Sequence, residues 1–83
     1  MDYTYMEECC RKSVDESLRL EDRLRADFEQ RFLTMVEAKA LNKNRVIFFK
    51  EQDTAYTHAQ TLFYTGVFSK EEFRKVRDAI YMI

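Results

Sequence analysis

Hydrophobic residues recur through the first 36 residues at the spacing of a single helix face. Placed at about 100° per residue, they fall within one stripe that is about 120° wide. The members of this stripe are Tyr3, Met6, Cys10, Val14, Leu18, Leu24, Phe28, Phe32, Met35 and Val36. Acids precede bases by four positions, as in Glu7 with Arg11, which is the orientation that stabilises a helix. The pattern predicts one long first helix, with looser packing near Glu21 and Arg25, where the stripe is interrupted.

The same segment also carries a signal for an interruption. Ser13 and Glu16 have the spacing of a capping box, in which a serine and a glutamate three positions later satisfy free backbone amides at a helix start. This spacing allows an alternative in which residues 1–12 form a tail or a short helix before a break at Ser13. The sequence leaves both arrangements open, and with them whether residues 1–12 continue the first helix.

Two further helices are predicted after a turn. Two asparagines in residues 41–44 favour the turn, and an apolar face then predicts a second helix over residues 45–65. That face is formed by Phe48, Phe49, Gln52, Ala55, Tyr56, Ala59, Leu62 and Phe63. Residues 46–49 have the composition of a short strand, but no partner strand exists elsewhere in the chain. A third helix is predicted over residues 70–82, with Phe73, Val76, Ile80 and Ile83 on its inner side.

The boundary between the second and third helices carries the sharpest local signal in the chain. Gly66 is the only glycine, and glycine readily adopts the left-handed conformation that ends a helix. Ser69 and Glu72 have capping-box spacing, and Phe68 and Phe73 occupy the two positions of a hydrophobic staple. We therefore expect one helix to end at about residue 65 and the next to begin at about residue 70.

Together these elements predict an all-α fold: a long antiparallel helical hairpin plus a short C-terminal third helix, within a single small domain spanning residues 1–83. Because the first helix is longer than the second, part of its apolar stripe has no partner within the chain. We expect that part to bind another copy or another protein. The predicted interface residues are Met6, Cys10, Val14, Leu18, Leu24 and Phe28.

Charge is unevenly distributed along the chain, although the net charge is only −1. Residues 1–38 carry ten acids and six bases, whereas residues 39–83 carry five acids and eight bases. Head-to-tail association between copies is one use of this polarity, and two ordinary solvated surfaces are the simpler interpretation. The small net charge argues against a nucleic-acid binder that relies on bulk charge.

Two basic clusters define the alternative function, a small nucleic-acid-binding regulator. With aromatic residues nearby, they could contact phosphates and stack bases. The residues concerned are Lys43, Arg45, Lys50, Arg74 and Arg77. Glu71 and Glu72 oppose this alternative, because they would repel phosphates at the start of the third helix.

The chain contains no constellation typical of catalysis, and the sequence predicts a protein that is not an enzyme and needs no cofactor or metal. His58 is the only histidine, and it is expected at a surface or boundary position without an orienting partner. Cys9 and Cys10 lack the spacer that zinc sites normally have, so Cys10 is expected in the apolar stripe and Cys9 at its margin. Two cysteines, no signal-peptide pattern and no long apolar run predict a cytoplasmic protein without a membrane partner, and no small-molecule substrate is evident.

Residues 62–77 resemble the short C-terminal module called SHOCT, over about a quarter of the chain. The positions that match that family's pattern in order are Gly66, Val67, Phe68, Ser69, Glu71, Glu72 and Phe73, and Arg77 lies near where the family usually has lysine. The family has no established chemistry and often accompanies other domains. The resemblance implies a non-enzymatic interaction or oligomerisation role and a bacterial, phage or mobile-element origin.

Overall fold

Four helices follow one another in the part of the chain that the structure describes. The computed structural model describes residues 3–41 and 44–82, with the backbone alone for Tyr3. The helices are α1 (Tyr3–Ser13), α2 (Leu20–Ala40), α3 (Arg45–Tyr64) and α4 (Lys70–Tyr81), and there is no strand within the described ranges. The predicted all-α fold is confirmed. Ile83, which was predicted on the inner side of the last helix, and Lys43 lie outside the described residues.

The predicted single long first helix is wrong, because the chain turns between Ser13 and Leu20. The Asp15 carboxylate accepts hydrogen bonds from the backbone N–H and the hydroxyl of Ser17, at 3.0 and 2.6 Å. These bonds lower the pKa of Asp15 and stabilise a local turn in competition with helix. Arg19 is extended and makes no side-chain cap, so α2 begins at Leu20 and not at the predicted Ser13 box. The open alternative of a short helix before a break is the one observed.

The short α1 folds back antiparallel on α2. At its far end the Tyr5 hydroxyl donates a hydrogen bond to Glu29, and this bond raises the pKa of Tyr5 to about 12. At its near end Arg23 Nε donates to the Ser13 carbonyl at 3.4 Å. Since α2 and α3 have 21 and 20 residues, the predicted length mismatch is also wrong. No overhanging half of a long helix exists, because α1 covers part of α2 instead of extending it.

The core lies between α2, α3 and α4. Its buried members are Phe28, Met35, Ala38, Phe48, Ala55, Ala59, Leu62, Phe68 and Ile80. Ala38, Ala55 and Ala59 are almost completely buried, and their small side chains let α2 and α3 approach closely. Phe28 packs edge-to-face on Phe68 with ring centroids 5.3 Å apart, which joins α2 to the turn between α3 and α4.

The predicted helix end at Gly66 and the predicted capping box at Ser69 are confirmed. Gly66 has φ of +84°, its N–H donates to the Phe63 carbonyl at 3.1 Å, and the Val67 N–H donates to the Leu62 carbonyl at 2.9 Å. These two bonds form a Schellman motif. Ser69 then caps α4 in a reciprocal box with Glu72, as predicted. The chain direction between α3 and α4 is therefore fixed by local hydrogen bonds.

Replacing Gly66 with alanine should destabilise the protein by about 1 kcal/mol, because a left-handed conformation is unfavourable for residues with a Cβ. No heavy atom would lie within 4 Å of the added Cβ, so the cost is conformational and not steric. Urea unfolding followed by circular dichroism measures it. Gly66→Asn is the control and should cost less, since asparagine tolerates this conformation better. An alanine variant as stable as the wild type would contradict the prediction.

Near Arg25, where looser packing was predicted, the structure shows a set of polar contacts that the sequence did not indicate. The Arg25 guanidinium donates to Glu72 Oε2 at 2.7 Å and to the Val67 carbonyl at 2.6 Å, and it lies 5.3 Å from the Phe68 ring centre. Its Nε is 3.5 Å from Glu21 on the same helix. An arginine that interrupts the apolar stripe thus connects α2 to the turn at Gly66.

Candidate interaction surfaces

His58 has an acidic partner that the sequence did not indicate. Its Nε2 lies 2.7 Å from Asp27 Oδ2, across the contact between α3 and α2. The same Asp27 oxygen accepts a hydrogen bond from Arg31 Nε at 3.2 Å. His58 and Asp27 are both half-buried, in agreement with the expected boundary position. The arrangement links α3 to α2 through a pair of half-buried side chains.

The two cysteines occupy the reverse of their predicted positions. Cys9 is buried between α1 and α2, and Cys10 is exposed. The helical phase of α1 turns Cys9 toward α2 once the break at residues 14–19 lets α1 fold back. Burial raises the pKa of the Cys9 thiol, so this thiol ionises less readily than an exposed one. Within residues 3–41 and 44–82, no group of three or more His, Cys, Asp or Glu side chains could hold a metal ion.

The six predicted interface residues do not lie on one continuous stripe. Cys10 and Val14 are exposed, whereas Met6 and Leu18 are half-buried near the contact between α1 and α2. Leu24 packs against the core, and Phe28 belongs to it with 7% of its surface exposed. The stripe was drawn for one helix, and the break at residues 14–19 divides its members between two antiparallel helices. Phe28 therefore offers little surface to a partner.

The predicted nucleic-acid contacts are also divided. Arg45 and Lys50 lie exposed on the first two turns of α3, and Arg74 lies exposed on α4. Arg77 is half-buried and paired with the adjacent Asp78 at 3.3 Å. Lys43 lies outside the described residues. On α4 the neighbouring acids thus offset part of the basic charge.

A groove of about 460 Å³ separates α2 from α4. Its floor is apolar and includes Phe28, Phe32 and Val76. Charges of both signs rim it: Arg25, Glu29, Glu72 and Lys75. The rim charges are mixed, so the groove indicates no particular class of ligand.

Exposed hydrophobic side chains are most numerous at one end of the molecule, where α2 ends and α3 begins and near which α4 ends. Lys39 Nζ lies 5.2 Å from the Phe48 ring centre, and Gln52 donates to the Ile80 carbonyl at 3.2 Å. These contacts place the end of α2 beside the first turn of α3, and the end of α4 beside Gln52, further along α3. Ten large hydrophobic side chains of the described residues are at least 45% exposed, and six are at this end. The six are Leu41, Val46, Ile47, Phe49, Tyr81 and Met82.

We call residues 39–41 and 44–50 the basic end. Lys39, Arg45 and Lys50 are its charged members, and all three are exposed. Arg45 and Lys50 make no ion pair with any residue that the structure describes. The basic end thus combines exposed hydrophobic side chains with uncompensated positive charge.

We call residues 13–22 the acidic end. This segment joins α1 to α2 and includes the first turn of α2. Val14 and Leu20 are 71% and 65% exposed, so aliphatic surface is open to solvent here too. Glu16 and Asp22 are exposed and form no ion pair within the described ranges. The acidic end therefore also combines exposed hydrophobic side chains with unpaired charge, but its charge is negative.

The sequence contained a signal for the basic end. Residues 46–49 are four consecutive apolar residues, and in a helix four consecutive side chains point in all directions. Only Phe48 is buried, while Val46, Ile47 and Phe49 are exposed on other faces. A continuous apolar run at a helix start thus indicated exposed hydrophobic surface, independently of any stripe on the first helix.

None of the helices in the described part of the chain is long and apolar enough to cross a lipid bilayer. Comparison of the chain with known protein families, with curated proteins and with solved structures gave no match.

Proposed function

We propose that this chain is a small, non-enzymatic interaction protein that associates with itself or with another protein. The observation that carries the proposal is the group of six exposed hydrophobic residues at and beside the basic end. Several exposed hydrophobic residues grouped near one end of a small protein are typical of a binding surface, whereas isolated ones are ordinary. Aromatic residues, methionine and arginine, which are frequent in protein interfaces, are all present there.

The proposal moves the interface from the predicted stripe on the first helix to the ends of the α2–α3 hairpin. Val14 remains part of the proposed surface, since it is exposed at the acidic end. Phe28 is excluded from it by its burial in the core. Because α1 folds back on α2, apolar side chains between these two helices are covered. The exposed hydrophobic residues therefore lie mainly at helix ends.

The nucleic-acid alternative has weaker support. Arg45 and Lys50 are free to contact phosphate, but on α4 Arg77 is engaged by Asp78 and Lys75 lies 3.9 Å from Glu71. The exposed side chains between Arg45 and Lys50 include aliphatic Val46 and Ile47, which suit a protein partner better than a phosphate backbone.

Photo-crosslinking tests the proposed function. A photoreactive phenylalanine analogue would replace Ile47 at the basic end or, as the control, Thr57, an exposed polar position outside both ends. The protein would be irradiated alone and in an extract of its source cells. We expect a discrete adduct from position 47, either with itself or with one other protein, and little adduct from position 57.

A second variant tests whether the apolar surface is responsible. Adding Val46→Asp and Phe49→Asp, both at exposed positions, should abolish the adduct while the helical circular dichroism is retained. An adduct that is as strong from Thr57, or that survives the aspartates, would contradict the proposal. The absence of any adduct from position 47 in both settings would contradict it too.

A further inference from the structure

We propose that the partner is a second copy of this chain, docked head to tail, with the acidic end of one copy on the basic end of the next. This inference rests on the proposed function and names the partner for the same surface. It follows from where the two ends lie, from their opposite charges, and from the exposed aliphatic side chains that both carry.

The two ends lie at opposite ends of α2. The acidic end includes its first turn, and the basic end begins at its last turn. A helix of 21 residues separates them by about 30 Å at 1.5 Å per residue. One copy can therefore contact a different neighbour at each end without the two contacts overlapping.

The charges of the two ends are complementary. By sequence, residues 39–50 contain four bases and no acid, and the flanking acids Glu37 and Glu51 lie just outside. Residues 13–22 contain four acids and one base. Opposite charges across an interface favour encounter and fix orientation, whereas like charges oppose it. A symmetric dimer through two basic ends would bring like charges together, which makes the head-to-tail arrangement the favoured one.

The start of α3 supplies a separate electrostatic argument. Its first turn contains no acid, and its cap, the uncharged Asn44 side chain, accepts the Val46 N–H at 2.8 Å, so no negative charge there offsets the positive pole of the helix, to which Arg45 adds. Carboxylates are stabilised near a helix N-terminus. In the proposed contact, the free carboxylates of Glu16 and Asp22 would approach this region from the neighbouring copy.

Apolar contact would accompany the charges. Val14 and Leu20 of one copy would pack against Val46, Ile47 and Phe49 of the next, so both sets would leave water. Because the two surfaces differ, the contact is heterologous and produces open chains or closed rings, in which every added copy repeats the same interface.

Charge reversal at each end tests the inference. One variant carries Glu16→Lys and Asp22→Lys, and the other carries Arg45→Glu and Lys50→Glu. All four positions are exposed, so both variants should fold, which circular dichroism verifies. Light scattering behind size exclusion would give the mass of each purified protein over a concentration series at low and high salt.

We expect the wild-type mass to rise with concentration and to fall with added salt, because exposed ion pairs are screened. Each variant alone should associate at least about tenfold more weakly, since losing and reversing two exposed pairs removes about 1.4 kcal/mol or more. An equimolar mixture of the two variants should associate again, because each then meets an end of opposite charge. Glu7→Lys on α1 and Arg74→Glu on α4, both outside the two ends, are the controls and should behave like the wild type.

Three results would overturn the inference: a mixture that associates no better than its components, a variant with the reversed acidic end that still associates fully, or a wild type that stays monomeric throughout. If the wild type stays monomeric, the crosslinking experiment still tests the proposed function. A discrete adduct with another protein would then support the proposed function, and the absence of any adduct would contradict it. The two proposals can therefore fail separately.

Discussion

Replacing Ile80 with alanine is expected to cost about 2–5 kcal/mol of stability, the range for deleting a buried aliphatic side chain. Ile80 has 0% of its surface exposed and is the only buried residue of α4 in the described structure. A domain of 83 residues is stabilised by only about 4–12 kcal/mol in total. The substitution should thus remove a large share of the stability and release α4 from α3, which urea unfolding monitored by circular dichroism would measure.

Two control variants separate packing from other effects. Ile80→Val keeps most of the side chain and should cost about 0.5–1.5 kcal/mol. Met82→Ala, two residues later at a position that is 85% exposed, should be close to neutral. An Ile80→Ala variant within about 0.5 kcal/mol of the wild type would show that α4 is held by something other than this side chain.

The sequence was sufficient to predict the structure around Gly66, where several local signals agreed. The bonds that end α3 and begin α4 all lie within residues 61–73, and the identities of Gly66, Ser69 and Glu72 almost determine them. The same local physics accounts for the geometry of the segment that resembles SHOCT, so the relation to that family stays a prediction. The prediction of α3 as a helix is also confirmed, although residues 46–49 have the composition of a strand, because its buried positions recur at helical spacing.

The break between α1 and α2 was harder to predict, because two patterns competed over the same residues. The apolar stripe continues through the break in helical phase, which favoured one helix. The turn includes two hydrogen bonds from Ser17 to Asp15, a local pattern that is available to many sequences. With the turn in place, α1 buries Cys9 against α2 and bonds to it through Tyr5 and Ser13. These are tertiary contacts, which a helical stripe does not reveal.

Partners distant in the chain could not be inferred at all. Asp27 and His58 are 31 residues apart, and Arg25 and Glu72 are 47 apart. Both pairings depend on how α2, α3 and α4 pack. The candidate surface was missed for a related reason: it consists of helix ends from three elements, and a search along one helix face cannot collect them.

Removing the Arg25 side chain should have the second large effect. Arg25→Ala deletes the bond to the Val67 carbonyl and the contact with the Phe68 ring, and it leaves Glu72 with only its bond to Ser69. We expect the free energy of unfolding to fall by about 1–2 kcal/mol at pH 7. This is less than for a buried charged group, because the Arg25 side chain is 37% exposed. Arg25→Lys should recover only part of it, since lysine keeps the charge but cannot hold a carboxylate and a carbonyl together.

The pH dependence of stability separates the contribution of the Arg25–Glu72 ion pair from that of the other contacts of Arg25. Arg25, and after it the Ser69 N–H, lower the pKa of Glu72 from 4.5 to about 2. Because the pKa is lower in the folded state, this stabilisation is present above about pH 4.5 and is lost as pH falls toward 2. The difference in the free energy of unfolding between wild type and Arg25→Ala should therefore decrease as pH falls from about 4.5 toward 2, which urea unfolding at several pH values would measure.

Two variants are the controls. Glu72→Gln, which can still close the capping box, should make this difference independent of pH, whereas Glu71→Gln at the exposed neighbouring position should leave its pH dependence unchanged. If this difference in the free energy of unfolding stays constant from pH 7 to pH 2.5, Arg25 stabilises the protein only through its contacts with the Val67 carbonyl and the Phe68 ring.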